Sequence, residues 1–395
     1  MSTPNNKVVV CDMGTGYIKT GFAGDQLPRH KFPSVVGRPL LRADESFGDS
    51  ATIPDILVGD DCMKHLSILD VSHPLENGVV KNWDDMRELY GYMFKNKLQV
   101  DPSECSVLLT EAANTPVPAK KRMMEEMFEY FNIPRAQIFI QALLTLFAQG
   151  THTGIVVDSG DGVTHLMPVY EGCLLDHLVK RIDIAGRDLT RYLMKLLLRQ
   201  GYSLNRTNDF EAVRDMKEKH CYCSVHPEID ASLAAETTAL IRHYDLPDGQ
   251  KVTLDRERFE AVEPLFRPDL IGKEVGGVGE QLFDLIHASP MDVRPTFYRS
   301  IYVSGGSTMF PGFPDRLEND LKTVYKERIL KGVKDKSLKI KIEVGRSPQR
   351  MNHVFSGASL LADLSKNRDE FWIHKHEWEE QGVHRCLERL GKLPM

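Results

Sequence analysis

One short pattern occurs twice in this sequence, and it limits the possible folds more than any other feature. An apolar run leads into Asp12 and the segment DMGTG, and a second apolar run leads into Asp158 and the segment DSGDG. Both segments have the form Asp-x-Gly-x-Gly, and apolar residues follow each one, as in a strand that returns as a β-hairpin. The repeat therefore predicts an internal duplication, with one strand–turn–strand unit in each half of the chain.

The rest of the sequence favours a mixed α/β fold. Strand-like apolar runs that end in glycine-rich turns alternate with stretches whose apolar residues recur at helical spacing. Helices are predicted over residues 119–133, 187–200 and 209–220. A third glycine-rich segment, SGGST, follows the apolar residues 301–303 and predicts a strand, a turn and a helix start. Three such turns are more than folding requires, so we expect them to face a ligand.

Composition excludes several classes of protein. The chain has 395 residues, 42% of them hydrophobic, which is enough for two or three packed units. Its formal net charge of -6 gives no general attraction to nucleic acid, so we expect no nucleic-acid partner. No apolar run approaches the roughly 18 residues that a membrane span requires, and the start, MSTPNNK, lacks the apolar core of a signal peptide. We therefore expect no membrane insertion.

Cysteine usage indicates a reducing compartment. The seven cysteines are odd in number and scattered, unlike a disulfide framework. Cys221 and Cys223 form the only close pair, and no second cluster of Cys or His accompanies them. Packing is therefore favoured over a zinc site for this pair.

The glycine turns have the chemistry of a phosphate site. Glycine lets backbone N–H groups approach an anion closely, and phosphate is the anion that such turns most often bind. Carboxylates at the strand ends, here Asp12 and Asp158, suit Mg²⁺ that is held through its waters. One Asp–Gly turn alone would indicate only a hairpin connection, but two copies in matching contexts favour the phosphate site.

Four polar residues lie near the turns, and three of them leave alternatives open. Lys19 is placed to reach a β-phosphate and Thr15 adds a hydroxyl, although both also suit an ordinary surface. His165 ends the second turn. Gln141 lies in an apolar segment and is either a buried amide with a hydrogen-bond partner or an amide that orients water at a γ-phosphate.

Two stretches have little apolar content. Residues 42–61 contain six acids and one base, which indicates a solvated lobe. Residues 325–341 are rich in lysine and predict either a surface insertion or a patch that binds a partner.

The sequence resembles the actin family along nearly its whole length, from Lys7 to about Gly391. The similar motifs occur in order: DMGTGYIKTGFAGD, VGRPLLR, NWDDM, LLTEA, IQALLTLFAQG, VVDSGDGVTH, AGRDLTRYLMKLLLRQGY, VRDMKEK, SGGSTMFPG and VFSGASLLA. Within the family, TRYLMKLLLRQGY, KERILKGVKDKS and VHRCLERLG are most similar to an actin-related subunit of the complex that nucleates branched filaments.

The resemblance implies an actin-like ATPase fold, in which duplicated ribonuclease H-like domains form two lobes around a nucleotide cleft. The first lobe would span residues 1–148, with a small acidic subdomain at about 35–73. The second would span residues 149–352, with a small subdomain at about 185–273, and residues 353–395 would return to the first lobe.

The resemblance also implies a site for ATP or ADP with Mg²⁺. Asp12 and Asp158 would flank the hydrated metal, while Gln141 and His165 would order the attacking water. The implied phosphate contacts are Gly14, Thr15, Gly16, Tyr17, Lys19, Gly160, Asp161, Gly162 and Val163. The implied contacts to the nucleoside are Gly186, Arg214, Lys217, Glu218, Gly306, Ser307, Met309, Phe310 and Met351.

Four positions depart from the pattern of conventional actin. Met13 stands in place of Asn, Phe310 in place of Tyr, Met351 in place of Lys, and Asn77 in place of His. Loss of the lysine removes a polar contact near the adenine, although a methionine packs well on an aromatic ring.

The resemblance implies a structural and regulatory subunit that hydrolyses ATP slowly. Its implied partners are actin-related protein 3, the smaller subunits of the nucleating complex, actin and nucleation-promoting factors. The implied location is the cytoplasm, with the actin cytoskeleton and cell projections. The nucleus is left open as a further location. The alternatives are an actin-like subunit of a nuclear remodelling complex and an enzyme of the same superfold. A metabolic kinase needs a catalytic base that no separate motif supplies, and an Hsp70-like chaperone needs a further domain.

Overall fold

The computed structural model describes residues 7–40, 54–204, 207–246, 249–330, 340–381 and 383–390. The chain divides into a first unit, formed by Met1–His152 and Asn352–Met395, and a second unit, formed by Thr153–Met351. The predicted subdomains within these units stay predictions. Much of the acidic stretch, at residues 41–53, and much of the lysine-rich stretch, at residues 331–339, lie outside the described residues.

The strands and helices alternate along the chain, which confirms the mixed α/β class. The first unit begins with β1 (Lys7–Met13), β2 (Tyr17–Phe22), β3 (His30–Pro33), β4 (Val36–Pro39), β5 (Leu57–Val58), α1 (Asp60–Lys64), β6 (Leu69–Ser72), β7 (Leu75–Glu76), β8 (Val79–Val80), α2 (Trp83–Tyr92), β9 (Cys105–Glu111), α3 (Val117–Glu125), β10 (Arg135–Ile140) and α4 (Gln141–Ala148). The second unit contains β11 (Gly154–Ser159), β12 (Thr164–Tyr170), β13 (Cys173–Leu174), β14 (Lys180–Ile182), α5 (Gly186–Arg199), α6 (Thr207–His220), α7 (Pro227–Glu236), β15 (Arg242–Asp245), β16 (Lys251–Leu254), α8 (Glu257–Glu260), α9 (Val278–Ala288), α10 (Arg294–Arg299), β17 (Ile301–Ser304) and α11 (Phe313–Arg328). The chain then returns to the first unit with α12 (His353–Ser365), β18 (Ile373–His374), α13 (Lys375–Gln381) and α14 (Val383–Arg389).

The main sheet of the first unit has the strand order β18-β10-β9-β1-β2-β3. β1, β9 and β10 run parallel to one another, while β2 returns antiparallel to β1. Both faces of β1 are buried: Val9 and Cys11 enter one apolar core, and Val8 and Val10 enter another. A strand that is buried on both faces needs a continuous apolar run, which is why the sequence VVVC precedes Asp12.

The second unit repeats this arrangement around β11. β12 returns antiparallel to β11, and β17 pairs with β11 in parallel. β11 and β17 share one large core with α5, α6, α9 and α11. The two predicted hairpins are therefore confirmed, and each first strand has a parallel neighbour on its other side.

The three predicted helices are present, with one difference. α5 and α6 begin and end within two residues of the predicted bounds. The helix predicted over residues 119–133 begins earlier, at Val117, and continues after Glu125 as a π-helical segment, Glu126–Tyr130. Met123, Met124, Met127 and Phe128 are still buried, as the predicted helical face requires.

A search of the described residues finds no helix that is both long and apolar enough to cross a membrane.

Candidate phosphate-binding turns

The first turn joins β1 to β2 and follows a buried carboxylate, Asp12, which is 4% exposed. Thr110 donates its hydroxyl to Oδ1 of Asp12 at 2.8 Å, and the Lys19 ammonium donates to Oδ2 at 3.2 Å. The amide nitrogen of Gln141 lies 3.3 Å from Oδ1 of Asp12 and 3.4 Å from Oγ1 of Thr110. These contacts hold the carboxylate in one position at the end of its strand.

The topology explains why these side chains meet. β1, β9 and β10 are parallel neighbours, so their carboxyl ends lie at the same edge of the sheet. Asp12 is near the end of β1, Thr110 is near the end of β9, and Gln141 directly follows β10. This edge is where open α/β sheets bind ligands. Thr110 was missed by the sequence analysis, although a polar residue at the end of the apolar run CSVLL was a usable sign.

The Gln141 side chain agrees with the plainer of its two interpretations, that of an amide with a hydrogen-bond partner. Its amide has hydrogen-bond partners, as the plainer interpretation predicts. Those partners are Asp12 and Thr110, at the end of the strand that leads into the first turn. The amide is therefore placed beside the predicted phosphate site, and its role toward water stays a prediction.

Backbone bonds fix the turn itself. The Gly14 N–H donates to the Tyr17 carbonyl at 3.2 Å, and the Ser34 N–H donates to the Gly16 carbonyl at 3.0 Å. The Thr15 hydroxyl accepts from the Gly78 N–H at 3.1 Å. Thr15 is buried and only 12% of the Lys19 side chain is exposed, so neither is an ordinary surface residue.

The second turn joins β11 to β12, with Asp158 opposite His165 in the register of the hairpin. The Gly160 N–H closes the turn by donating to the Val163 carbonyl at 3.1 Å. His165 is 3% exposed, and burial, with a smaller effect of Arg181, lowers its pKa to about 4. The imidazole is therefore neutral at neutral pH, and a neutral ring has one donor and one acceptor nitrogen with which to order a water.

The amino-terminal turn of α5 binds the second turn through its backbone. The N–H groups of Gly186 and Arg187 donate to the carbonyls of Gly160 and Asp161 at 3.1 Å and 2.8 Å. The Arg187 guanidinium also forms an ion pair with the Asp161 carboxylate at 3.2 Å. Arg187 was missed by the sequence analysis, because one arginine at the start of a helix is too common to indicate a partner.

The third turn, after β17, packs directly on the second. Gly305 has a φ of 90°, and a Cβ added there would lie 2.2 Å from the Ser159 carbonyl oxygen. The same Cβ would lie 2.8 Å from Oδ1 of Asp158, so only glycine fits. The Ser307 hydroxyl donates to the Gly160 carbonyl at 2.6 Å, which joins the two turns.

The other predicted nucleoside contacts differ in burial. Phe310, Arg214 and Lys217 are buried, Met309 and Met351 are partly buried, and Gly306 and Glu218 are exposed. Arg214 forms an ion pair with Glu211 at 2.6 Å. Lys217 donates to the Gly186 carbonyl at 2.6 Å, so it belongs to the cluster around the second turn. Cys221 and Cys223 are buried in the core of the second unit.

The donor set fits a phosphate with a hydrated cation better than a directly liganded metal. Each turn combines backbone N–H groups with an aspartate at the end of its strand, the first adds an ammonium and a hydroxyl, and the second carries a further aspartate, Asp161, that is paired with Arg187. The described residues contain no group of three or more His, Cys, Asp or Glu side chains that could hold a metal ion. Mg²⁺ commonly keeps several waters and bridges phosphates through one or two carboxylates, which matches this chemistry.

A mixed α/β fold with two such turns agrees with the resemblance seen in the sequence. The chain belongs to the actin family: the family model described as Actin matches residues 3–390. The predicted family and actin-like fold are thereby confirmed.

The similarity to individual relatives extends over nearly the full length. The chain is 50% identical over 380 residues to actin-related protein 2 of Acanthamoeba castellanii, covering 96% of this chain and 98% of the relative. It is 48% identical over 398 residues to actin-related protein 2 of Drosophila melanogaster, covering 100% of both. The identity to actin-related protein 2 of Caenorhabditis briggsae is 49% over 393 residues, covering 99% of both.

Proposed function

We propose that this chain binds ATP or ADP with Mg²⁺ through its two Asp-x-Gly-x-Gly turns and hydrolyses ATP slowly. The observation that carries this proposal is the fixed position of Asp12, which Thr110, Lys19 and Gln141 hold at the carboxyl edge of three parallel strands. When bound, Mg²⁺ supplies positive charge that neutralises the phosphate oxygens.

The side chains have distinct roles in this proposal. Asp12 and Asp158 would hold Mg²⁺ through its waters, and Lys19 and the turn backbones would bind phosphate. Gln141 and the neutral His165 orient the water that attacks the γ-phosphate. Asp161 meets the ribose, and the partly buried Met351 packs near the base in place of a lysine.

Two substitutions test the catalytic roles. We expect Asp158→Ala and Gln141→Ala to slow single-turnover ATP hydrolysis by at least tenfold, since one positioned group contributes about 10²-fold or more. Both variants should unfold near the wild-type temperature. Asp245→Ala and Gln250→Ala, at exposed positions of the β15–β16 region, serve as matched controls and should hydrolyse ATP at the wild-type rate. Wild-type hydrolysis in both test variants would exclude these roles.

We further propose that the chain is a subunit of the complex that nucleates branched actin filaments. Full-length identity of about half to three proteins named actin-related protein 2 supports this. The proposed partners are actin-related protein 3, smaller subunits, actin and nucleation-promoting factors. Nucleotide state would gate activation by shifting the population of the active conformation. The proposed location is the cytoplasm, with the actin cytoskeleton and cell projections.

Native isolation tests the assembly. The chain would be tagged at its amino terminus, purified from cytosol and analysed by mass spectrometry. We expect recovery with a second actin-like chain and a set of smaller subunits. Recovery alone, or with subunits of a remodelling ATPase, would refute the placement in the nucleating complex while leaving the nucleotide site standing.

A further inference from the structure

Lys217 is a buried charged residue whose ammonium is hydrogen-bonded to other groups of the protein. It is 3% exposed, and its ammonium donates to the Gly186 carbonyl at 2.6 Å and to the Thr190 hydroxyl at 2.9 Å. Burying an ammonium is costly unless its donors are bonded. Burial is also the main reason why the pKa of Lys217 is lowered. Two of its three donors are thus committed to Gly186 and Thr190 of α5.

The peptide group that Lys217 binds also holds the second turn. The Gly186 carbonyl and the Arg187 N–H belong to one planar peptide unit, and this N–H donates to the Asp161 carbonyl at 2.8 Å. A charge-assisted bond at the carbonyl fixes the unit and strengthens the N–H as a donor. The position of the second turn therefore depends on an ammonium that comes from α6.

The carbonyls of the second turn are held on one side. The Gly160 carbonyl accepts from the Gly186 N–H at 3.1 Å and from the Ser307 hydroxyl at 2.6 Å. The C=O and N–H of a trans peptide point in opposite directions. Binding the carbonyls of Gly160 and Asp161 to α5 and the third turn therefore directs the N–H groups of Asp161 and Gly162 the other way. Successive N–H groups that point to one side form an anion site.

We infer that Lys217 is a positioning residue for phosphate: its ammonium holds the Gly186–Arg187 peptide against the second turn and so presets the N–H groups of Asp161 and Gly162. The inference rests on the proposed nucleotide site and deepens it. It assigns Lys217 to the geometry of the phosphate turn, whereas contact with the nucleoside would make it a determinant of base or ribose affinity. The two roles differ in how the effect of removing the Lys217 ammonium on ligand affinity depends on the number of phosphates in the ligand.

The test compares ATP with adenosine. The full chain and its variants would be titrated with a fluorescent ATP analogue and Mg²⁺, and unlabelled ATP and adenosine would displace it. Lys217→Met keeps the apolar stem and removes the ammonium. We expect it to raise the Kd for ATP by about tenfold or more, as loss of a charged hydrogen bond does, and to change the Kd for adenosine by about twofold or less. Lys195→Met, exposed on α5, is the matched control and should bind both ligands as the wild type does.

A double-mutant cycle adds a readout that a merely structural role would not move. Ser307→Ala removes the other donor to the Gly160 carbonyl, so its effect on ATP affinity should be non-additive with that of Lys217→Met. An equal loss for ATP and adenosine, or no loss, would overturn the inference. If Lys217→Met does not fold, Thr190→Val and Ser307→Ala take its place in the test. A loss of affinity for ATP but not for adenosine in both variants would support the inference. Unchanged ATP affinity, or an equal loss for both ligands, in either variant would overturn it. A wild-type chain that binds no ATP would refute the proposed function itself.

Discussion

Burial sets the chemistry of His165 at the scale of a single residue. The imidazole is 3% exposed, and desolvation is the largest cause of its lowered pKa of about 4. Arg181 lowers this pKa further, while Asp183 opposes the shift. The ring therefore stays neutral down to about pH 5, and the water that we propose it orients would meet an uncharged partner.

The same shift predicts a pH-dependent part of the stability. The unfolded histidine has a pKa of about 6.5, above the folded value, so protons bind the unfolded chain first as the pH falls. Above about pH 6.5 this effect is absent; as the pH falls, unfolding free energy is lost, and the loss levels off near pH 4 at about 3 kcal/mol. We expect His165→Gln to lose less unfolding free energy than the wild type over that range, measured by denaturant titration at stepped pH.

A matched variant separates this effect from general acid denaturation. His152→Gln alters an exposed histidine and should keep the wild-type dependence on pH. If His165→Gln and the wild type lost unfolding free energy in parallel from pH 7 to pH 4, the buried neutral state of His165 would be wrong.

At the scale of elements, the contact between α4 and α12 supports the first turn. A Cβ added at Gly357 of α12 would lie 1.8 Å from the Leu144 carbonyl oxygen of α4, so the two backbones touch. α4 begins with Gln141, whose amide lies beside Asp12. A change in the spacing of these helices therefore moves a proposed catalytic group.

Two glycine-to-alanine substitutions should have opposite signs. Gly357→Ala forces the helices apart and should lower the free energy of unfolding by about 2 kcal/mol, typical of an overpacked core. At Gly91 of α2, an added Cβ has no atom within 4 Å, so Gly91→Ala should raise the free energy of unfolding by about 0.5 to 1 kcal/mol. Urea unfolding of both variants measures this, and the same sign for both would contradict the close contact of α4 and α12.

The elements also show what the sequence could predict. The two hairpins and the helices α5 and α6 follow from local apolar periodicity, which can be read directly from the sequence. Thr110 and Arg187 were missed because their partners, Asp12 and Asp161, come from other elements that are brought near only by the sheet edge and by the docking of α5. The bonding of Lys217 to Gly186 has the same origin. Tertiary pairing of this kind leaves no periodic trace in the sequence.

At the scale of the whole molecule, each unit has its own apolar core. The second unit is one continuous segment, Thr153–Met351, with a core that includes Ile155, Phe297 and Phe313. The first unit combines two separate segments of chain. The second unit is thus suited to fold as a fragment, and it carries only one of the two duplicated turns.

This division predicts how ligand binding depends on the full chain. Residues 153–351 alone should unfold cooperatively, because their core is complete. Mg²⁺ and ATP at about 100 times Kd should stabilise the full chain by about 2.7 kcal/mol, since the ligand binds only the native state. The fragment, which lacks Asp12, Lys19 and Gln141, should gain less than a tenth of this. Thermal unfolding of both proteins with and without Mg²⁺-ATP measures the difference. Equal stabilisation of the fragment and the full chain would show that the first turn contributes nothing, and the proposal that both turns bind the nucleotide would fail.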